Sequence, residues 1–343
     1  MKRAFAWVWI VVTALLVPVV AQDRQAASEP GYLLIDAAQT RSRLLGITNL
    51  SKIRDRLAEA GKQGYGFVSL AGSSSSANVL MKRDGAGPRT YRLVFDGREG
   101  GFLKNLNKAA SEGLRVIPGT IKAFEENGET IWMTVVEPAP DAPRVTYVVV
   151  KGTEEGEKAL DGASTAGRSL VGILGRMGMT SANTLLFFEQ HAPESSTGPA
   201  RVHRIIANSR TSTTEKDVID AAADGFRLLG AGFGYMSIVM SRAHDAANEP
   251  VDYRLLAMIR AKTAVDELNQ AGAEGFRLTA MSENGQEGVM VLHRKHGTAD
   301  HFEYRLVRLE EGTANRTLLD AEADGYRIAQ LFSDLVVLER PGR

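Results

Sequence analysis

The chain has 343 residues with 41 basic and 41 acidic side chains, so its formal charge is zero, and it contains no cysteine. The charge balance excludes the basic excess of a general nucleic-acid binder, and the missing thiols exclude disulfides, thiolate catalysis, cysteine-held metals and cysteine lipidation. With 44% hydrophobic and 24% charged residues, the composition also excludes a largely disordered chain.

The N-terminus predicts an export signal over 1–21. Lys2 and Arg3 form a basic start, Ala4 to Val20 is almost wholly apolar, and Val19-Val20-Ala21 is a small-residue cleavage site before Gln22. A retained anchor is the competing expectation, but the apolar run falls short of the ~20 residues that span a bilayer comfortably, and Pro18 breaks it. Cleavage removes Lys2 and Arg3 and leaves a formal charge of −2. No later segment is long and apolar enough to span a membrane, so no stable span is expected after cleavage. A periplasmic or secreted location follows as the expectation. Residues 22–31 are a polar, disordered lead-in.

Beyond the lead-in, one pattern is written six times. Aligned on a stop glycine, the copies are Gly64, Gly113, Gly167, Gly225, Gly275 and Gly325. Seven residues earlier stand Leu57, Leu106, Leu160, Val218, Leu268 and Leu318, and four residues earlier stand Ala60, Ala109, Ala163, Ala221, Ala271 and Ala321. That separation places an aliphatic residue and a small one on one helix face, with glycine ending the helix in the left-handed conformation. An apolar-Arg-apolar strand start follows in Leu114-Arg115-Val116, Phe226-Arg227-Leu228, Phe276-Arg277-Leu278 and Tyr326-Arg327-Ile328. Arg168-Ser169-Leu170 and Tyr65-Gly66-Phe67 depart from it. A further strand follows each, such as Ile238-Val239-Met240 or Leu335-Val336-Val337, and another precedes each helix, such as Tyr253-Arg254-Leu255 or Tyr304-Arg305-Leu306.

Each unit is therefore strand, helix, strand, strand, about fifty residues long and too small to bury a large core alone. The expected fold is α+β: six tandem βαββ repeats, each with one helix on a small antiparallel-rich sheet, packed in pairs. The units are placed at 32–87, 88–142, 143–198, 199–249, 250–300 and 301–343, with seams at Asp84 to Pro88, Pro138-Ala139-Pro140 and Pro193 to Pro199. Unit one carries extra residues, Asp36 to Gly46, before its helix. Helix starts are expected at Thr153 and Thr213, each backed by acids that suit the positive helix end.

The fifth copy, Leu268-Asn269-Gln270-Ala271-Gly272-Ala273-Glu274-Gly275-Phe276-Arg277-Leu278, resembles a small bacterial domain of unknown function with the signature L-N-x-x-G-x-E-G-[FWY]-x-L, and Leu318 to Ile328 is next closest. The repeat also resembles strand-helix-strand-strand modules of duplicated ligand-binding proteins. Both resemblances imply a fold and a binding role, and neither carries catalytic residues.

Three kinds of chemistry are candidates. Strand alternation points Arg92, Arg204, Arg254 and Arg305 on first strands, and Arg115, Arg227, Arg277 and Arg327 on second strands, away from the core. Such rows could bind an anionic polymer or the acidic surface of a protein. The competing reading pairs them with acids such as Glu303, Asp252 or Glu339. His293, His296, Asp300 and His301 could ligate a metal, but their spacing matches no helical two-histidine motif. Glu112, Asp224, Glu274 and Asp324 precede stop glycines, and their repetition argues for the fold rather than for paired catalytic acids. The serine run Gly72-Ser73-Ser74-Ser75-Ser76 lacks a nucleophile elbow. Gly230-Ala231-Gly232-Phe233-Gly234 follows a helix, the reverse of a dinucleotide loop, and predicts a hairpin or bulge. Gly175-Arg176-Met177-Gly178-Met179 suggests adaptable contact. The sequons at Asn49 and Asn315 fit chance occurrence. The expectation is a non-catalytic binding or scaffolding module without cofactor; the alternative is an envelope hydrolase with its site at a seam between units.

Overall fold

A computed structural model describes residues 31–36, 50–73, 76–126, 129–163, 166–177, 182–191, 201–207, 210–232, 236–243, 250–258, 260–283, 288–332 and 334–342. The export signal, the lead-in as far as Pro30, the insertion after Asp36, and Ser74 and Ser75 of the serine run lie outside the described residues, as do Gly178, Met179, Phe233 and Gly234.

The six units follow one plan. Unit one is β1 (Tyr32–Asp36), α1 (Leu50–Lys62), β2 (Tyr65–Ser73) and β3 (Ser76–Arg83). Unit two is β4 (Arg92–Asp96), α2 (Glu99–Ser111), a second strand split into β5 (Leu114–Val116) and β6 (Lys122–Glu126), and β7 (Glu129–Pro138). Unit three is β8 (Thr146–Lys151), α3 (Thr153–Asp161), β9 (Arg168–Met177) and β10 (Ala182–Gln190). Unit four is β11 (Arg201–Ala207), α4 (Thr211–Ala223), β12 (Arg227–Gly232) and β13 (Ser237–Ala243). Unit five is β14 (Val251–Met258), α5 (Ala261–Ala273), β15 (Arg277–Glu283) and β16 (Gly288–Lys295). Unit six is β17 (Phe302–Arg308), α6 (Ala314–Ala323), β18 (Arg327–Phe332) and β19 (Leu335–Pro341).

In every unit the last strand is central and antiparallel to both flanking strands, as in the order β14-β16-β15. The helix thus crosses over the central strand, a split βαβ arrangement. Central strands are buried on both faces, which is why they read as continuous apolar runs: Gly288 to Leu292 and Ser237 to Ser241 are all buried. All six stop glycines have positive φ, from 64° at Gly167 to 89° at Gly275. Two helix starts differ from expectation. Thr153 is the first helical residue and Gly152, at φ 90°, is the cap, because the chain must turn sharply out of β8. Helix α4 begins at Thr211, two residues before Thr213, after the extended Arg210.

The units close on themselves. Each helix covers its own sheet and also the first strand of the next unit: α1 on β4, α2 on β8, α3 on β11, α4 on β14, α5 on β17, and α6 back on β1. Each seam holds its own core. Between units five and six, Leu268, Leu278 and Met290 meet Tyr304 and Val337. Between units six and one, Leu318, Tyr326 and Val336 meet Tyr32, Leu34 and Leu80. Second strands contact one another around the inside, with β18 reaching β2. The result is a ring of six units in which each unit pairs with both neighbours and no sheet is shared among the described residues.

Candidate functional site

The repeated polar residues have repeated structural duties. Each first strand is a sheet edge, and its outward N–H and C=O groups need partners. The preceding helix supplies them from two positions one turn apart on the same face. Six residues before the stop glycine, Asn107 brackets Tyr147, accepting from its N–H (2.6 Å) and donating to its carbonyl (3.0 Å). Asn269 does the same to Tyr304 (2.8 and 3.0 Å), and Asp161 accepts from the His203 N–H (2.8 Å). Ten residues before the glycine, Glu157 accepts from Ile205 (2.7 Å), Glu215 from Leu255 (3.1 Å) and Asn315 from Tyr32 (2.6 Å). Asn315, the residue of a sequon, is thus a latch of the closing seam.

The tyrosines of the first strands pin the second strands of the preceding unit. Those strands carry a β-bulge, at Leu228/Gly230 and Leu278/Ala280 for example. The N–H beside the bulge donates to a tyrosine hydroxyl, Phe67 to Tyr91 (3.1 Å), Leu228 to Tyr253 (2.8 Å) and Leu278 to Tyr304 (2.9 Å), and Val116 at the end of β5 does the same to Tyr147 (2.9 Å). Burial pushes the Tyr147 and Tyr304 hydroxyls well above the usual tyrosine range and raises that of Tyr253. Gly232 serves close packing: a Cβ there would sit 2.7 Å from Ile173 Cγ2 of the neighbouring second strand.

The arginines separate into two sets. First-strand Arg92, Arg204, Arg254 and Arg305 reach the acid before their own stop glycine: Glu112 (2.6 Å), Asp224 (3.1 Å), Glu274 (2.6 Å) and Asp324 (2.8 Å). The last three also lie over the aromatic ring after the glycine, 4.6 Å from Phe226, 4.3 Å from Phe276 and 4.2 Å from Tyr326. A third-strand arginine flanks the same ring in each case, Arg242, Arg294 and Arg340 at 4.9, 4.7 and 4.5 Å. These donate to the carbonyls that end the helix, Asp224, Glu274 and Asp324. Of the second-strand set, Arg115 pairs with Glu189 (3.6 Å), while Arg277 (3.1 Å) and Arg327 (2.8 Å) share the buried Glu339. Arg227 differs: its Nη1 donates to the Phe226 and Ala222 carbonyls (2.6 and 3.3 Å). Asp252 pairs with Arg294 and Glu303 with Arg340.

Every letter of the fifth-copy signature therefore has a role in the ring. Leu268 is core, Asn269 the latch, and Gly272 the close approach to the Phe302 carbonyl. Glu274 holds Arg254, Gly275 turns the chain, Phe276 lies beside two arginines, and Leu278 is core.

The histidines do not converge. His293 accepts or donates at Thr279 Oγ1 (2.5 Å) and faces Tyr253, while His296 Nε2 meets Asp252 (2.7 Å). Burial first, then the Arg277 and Lys295 charges, pushes His293 below its usual value, so it is neutral at pH 7. Among the described residues no group of three or more histidine, aspartate or glutamate side chains could hold a metal ion.

At the latch position six before the stop glycine, units two, three and five have Asn107, Asp161 and Asn269, whereas units one, four and six have Ala58, Ile219 and Leu319. An isoleucine cannot bond the β14 edge, and Glu215 fastens α4 to that edge one turn away. At the start of β14, Val251 takes the place held by the larger Phe302 in unit six. A cleft of about 570 Å³ opens between α4 and β14. Ile219, Ala222 and Ala223 form one wall; Pro250 and Val251 form the other; Arg227, Asp252, Arg294 and His296 contribute the charged groups. Asp252 is held by Arg294 (2.7 Å) and His296 (2.7 Å); the His296 bond, aided by Arg294, keeps its carboxyl below the usual carboxylate range despite partial burial. Ile219 is 46% exposed, one of two exposed large apolar side chains among the described residues. The other, Leu229 at 48%, also belongs to unit four and rims a smaller hollow of about 210 Å³ near the inside of the ring.

Sequence reasoning placed Arg227, Asp252 and His296 in other roles and missed Ile219, which alignment of the latch positions does not single out because Ala58 and Leu319 are apolar there too; its exposure does. Compared with known protein families and with curated proteins, the chain matches no family model and no curated relative.

Proposed function

We propose that this protein is an exported, non-catalytic binding module, a ring whose repeated residues build the scaffold and whose fourth seam is modified to receive a partner molecule. The observation that carries this reading is the α4–β14 cleft, which lies beside the exposed Ile219. Its volume falls within the roughly 300–1,000 Å³ of small-molecule sites. The arginine rows expected to meet an anionic polymer or an acidic protein are spent largely on intramolecular pairs, so the cleft is the better receptor. The resemblance of the fifth copy to a small bacterial module supports the same reading, since its signature residues are architectural.

The test is to incubate the purified chain with an envelope extract of its source, separate it by gel filtration, and identify what remains bound by mass spectrometry. A small molecule retained unchanged near one per chain is the expected result. A compound that is consumed and released altered would replace this reading with the seam hydrolase.

A further inference from the structure

We infer that a second site lies one seam earlier, where a cleft between the end of α3, β9 and the strands of unit four takes a small apolar carboxylate, its head at Arg168 and its body over Leu170 and Leu229. This cleft shares no lining residue with the α4–β14 cleft and does not rest on it. In five units the residue after the stop glycine is apolar or aromatic, Tyr65, Leu114, Phe226, Phe276 or Tyr326, and it packs in one core with the first-strand tyrosine of the next unit. At the seam between units three and four both partners change, to Arg168 and His203. Both line a cleft of about 260 Å³. The seam itself stays fastened, since Asp161 and Glu157 hold the β11 edge.

Arg168 lacks the partner that its position would need. Units two, four, five and six carry an acid before the stop glycine, and unit three has Ala166 there. Among the described residues no ion pair reaches Arg168, and its Nε is shut off from water with nothing to donate to. A buried donor without an acceptor is costly, so such a group calls for one. The other charged groups of the cleft are engaged. Asp161 Oδ1 accepts from the His203 N–H (2.8 Å) and lies 3.0 Å from its Nδ1, and Arg201 Nη2 donates to Ser241 Oγ (3.0 Å). Beside Arg168 the walls are apolar. Period-two alternation puts Leu170 on the same face of β9, and Leu160 and Ala163 stand at the end of α3. Leu229 is the extra residue of the β12 bulge, between Leu228 and Gly230, and is 48% exposed. Leu170 and Leu229 also line the inner hollow of about 210 Å³, so the apolar surface continues past the cleft. A guanidinium matches a carboxylate as a planar fork, and an apolar body gains by covering the two leucines.

The experiment is isothermal titration of the full chain with octanoate, octanamide, butanoate and octyl phosphate. Octanoate should bind, octanamide without the charge and butanoate without the body should each bind at least about tenfold more weakly, and octyl phosphate should bind no more tightly than octanoate. Arg168→Gln and Leu229→Asp should each weaken octanoate by about tenfold or more while the protein remains folded by circular dichroism, and Arg168→Lys should restore part of the loss. Equal binding of octanoate and octanamide, tighter binding of octyl phosphate, octanoate binding that survives Arg168→Gln or Leu229→Asp, or absence of octanoate binding would each overturn the assignment. The extract experiment decides independently whether the ring binds another small molecule.

Discussion

The latch position makes a reciprocal prediction. Residue 219 in α4 and residue 269 in α5 occupy the same place in their units, one isoleucine and one asparagine. In Asn269→Ile, the Tyr304 N–H and carbonyl lose bonds of 2.8 and 3.0 Å. A net ~0.5–1.5 kcal/mol for each bond, more where a group stays out of water, sums to ~1–4 kcal/mol. Burying part of an isoleucine returns ~1 kcal/mol, which leaves a loss of about 2 kcal/mol. In Ile219→Asn the signs reverse. Period-two alternation puts Tyr253 and Leu255 of β14 on the same outward edge, and Leu255 already donates to Glu215 across this seam. A new asparagine can therefore bracket Tyr253 as Asn107 and Asn269 bracket their tyrosines. The gain of two bonds, less ~1 kcal/mol of apolar contact, leaves about 1 kcal/mol of added stability. At about 2 cal/mol/K of unfolding entropy per residue, a ring of roughly 300 residues unfolding as one unit shifts by about 3 °C for 2 kcal/mol. Differential scanning calorimetry and urea unfolding of both variants are the assays. The reasoning is refuted if the two substitutions move stability in the same direction, or if Asn269→Ile is neutral.

Further expectations follow from the other repeated contacts. Leu318→Ala in the closing seam and Leu268→Ala in an internal one are both fully buried positions and should each cost ~2–5 kcal/mol; a much milder effect at Leu318 in chemical unfolding would mean that the ring is open. Tyr304→Phe leaves the Leu278 N–H without its acceptor and should cost ~1–3 kcal/mol, read from the urea midpoint. Tyrosines whose folded values are raised contribute stability that is full below the unfolded tyrosine value, about 10, and falls as pH rises past it. Four such groups, Tyr32, Tyr147, Tyr253 and Tyr304, predict a steep loss of thermal stability above that point, and the Tyr304→Phe variant should lose it less steeply. On the acid side, burial pushes Glu322 up, but its bonds from Lys82 and Tyr32 (2.5 Å each) outweigh that and hold it below its usual value. Its contribution is present above the unfolded glutamate value, about 4.3, and is lost as pH falls through the lower folded value. Glu322→Gln should accordingly flatten the acid limb of a stability-against-pH curve.

The repeat, the order of elements and the helix stops were legible because each rests on local chemistry. A left-handed residue at a helix end needs glycine, and all six positions that alignment selected have positive φ. The ring itself was not legible, because closure depends on which face of a sheet meets the next helix, and period-two alternation labels both faces apolar. Tyr32 and Leu34 face α6 while Ile35 faces α1, yet all three are hydrophobic. The first-strand arginines show the same limit. Alternation placed them off the core, and they are partly exposed, but the ring of Phe276 or Tyr326 beside them and the carboxylate before the glycine come from across the unit. The acids Asp252, Glu303 and Glu339 do pair with arginines, and for Arg277 with Glu339 the pairing crosses a seam.

Repetition separates architecture from specialisation in this chain. A residue that recurs at one place in several units is held there by a duty that recurs, such as bracketing an edge strand or flanking a ring. Function must then be sought where a unit abandons a duty and still keeps its fold. A closed ring tolerates such a loss because both neighbours of the altered seam remain bound on their other sides. Glu215 still fastens α4 one turn away from Ile219, and the seam core around Val218, Tyr253 and Leu255 remains buried. Ile219 therefore borders a cleft without opening the ring, and at the mouth of that cleft Arg227 meets backbone carbonyls where Arg277 meets Glu339.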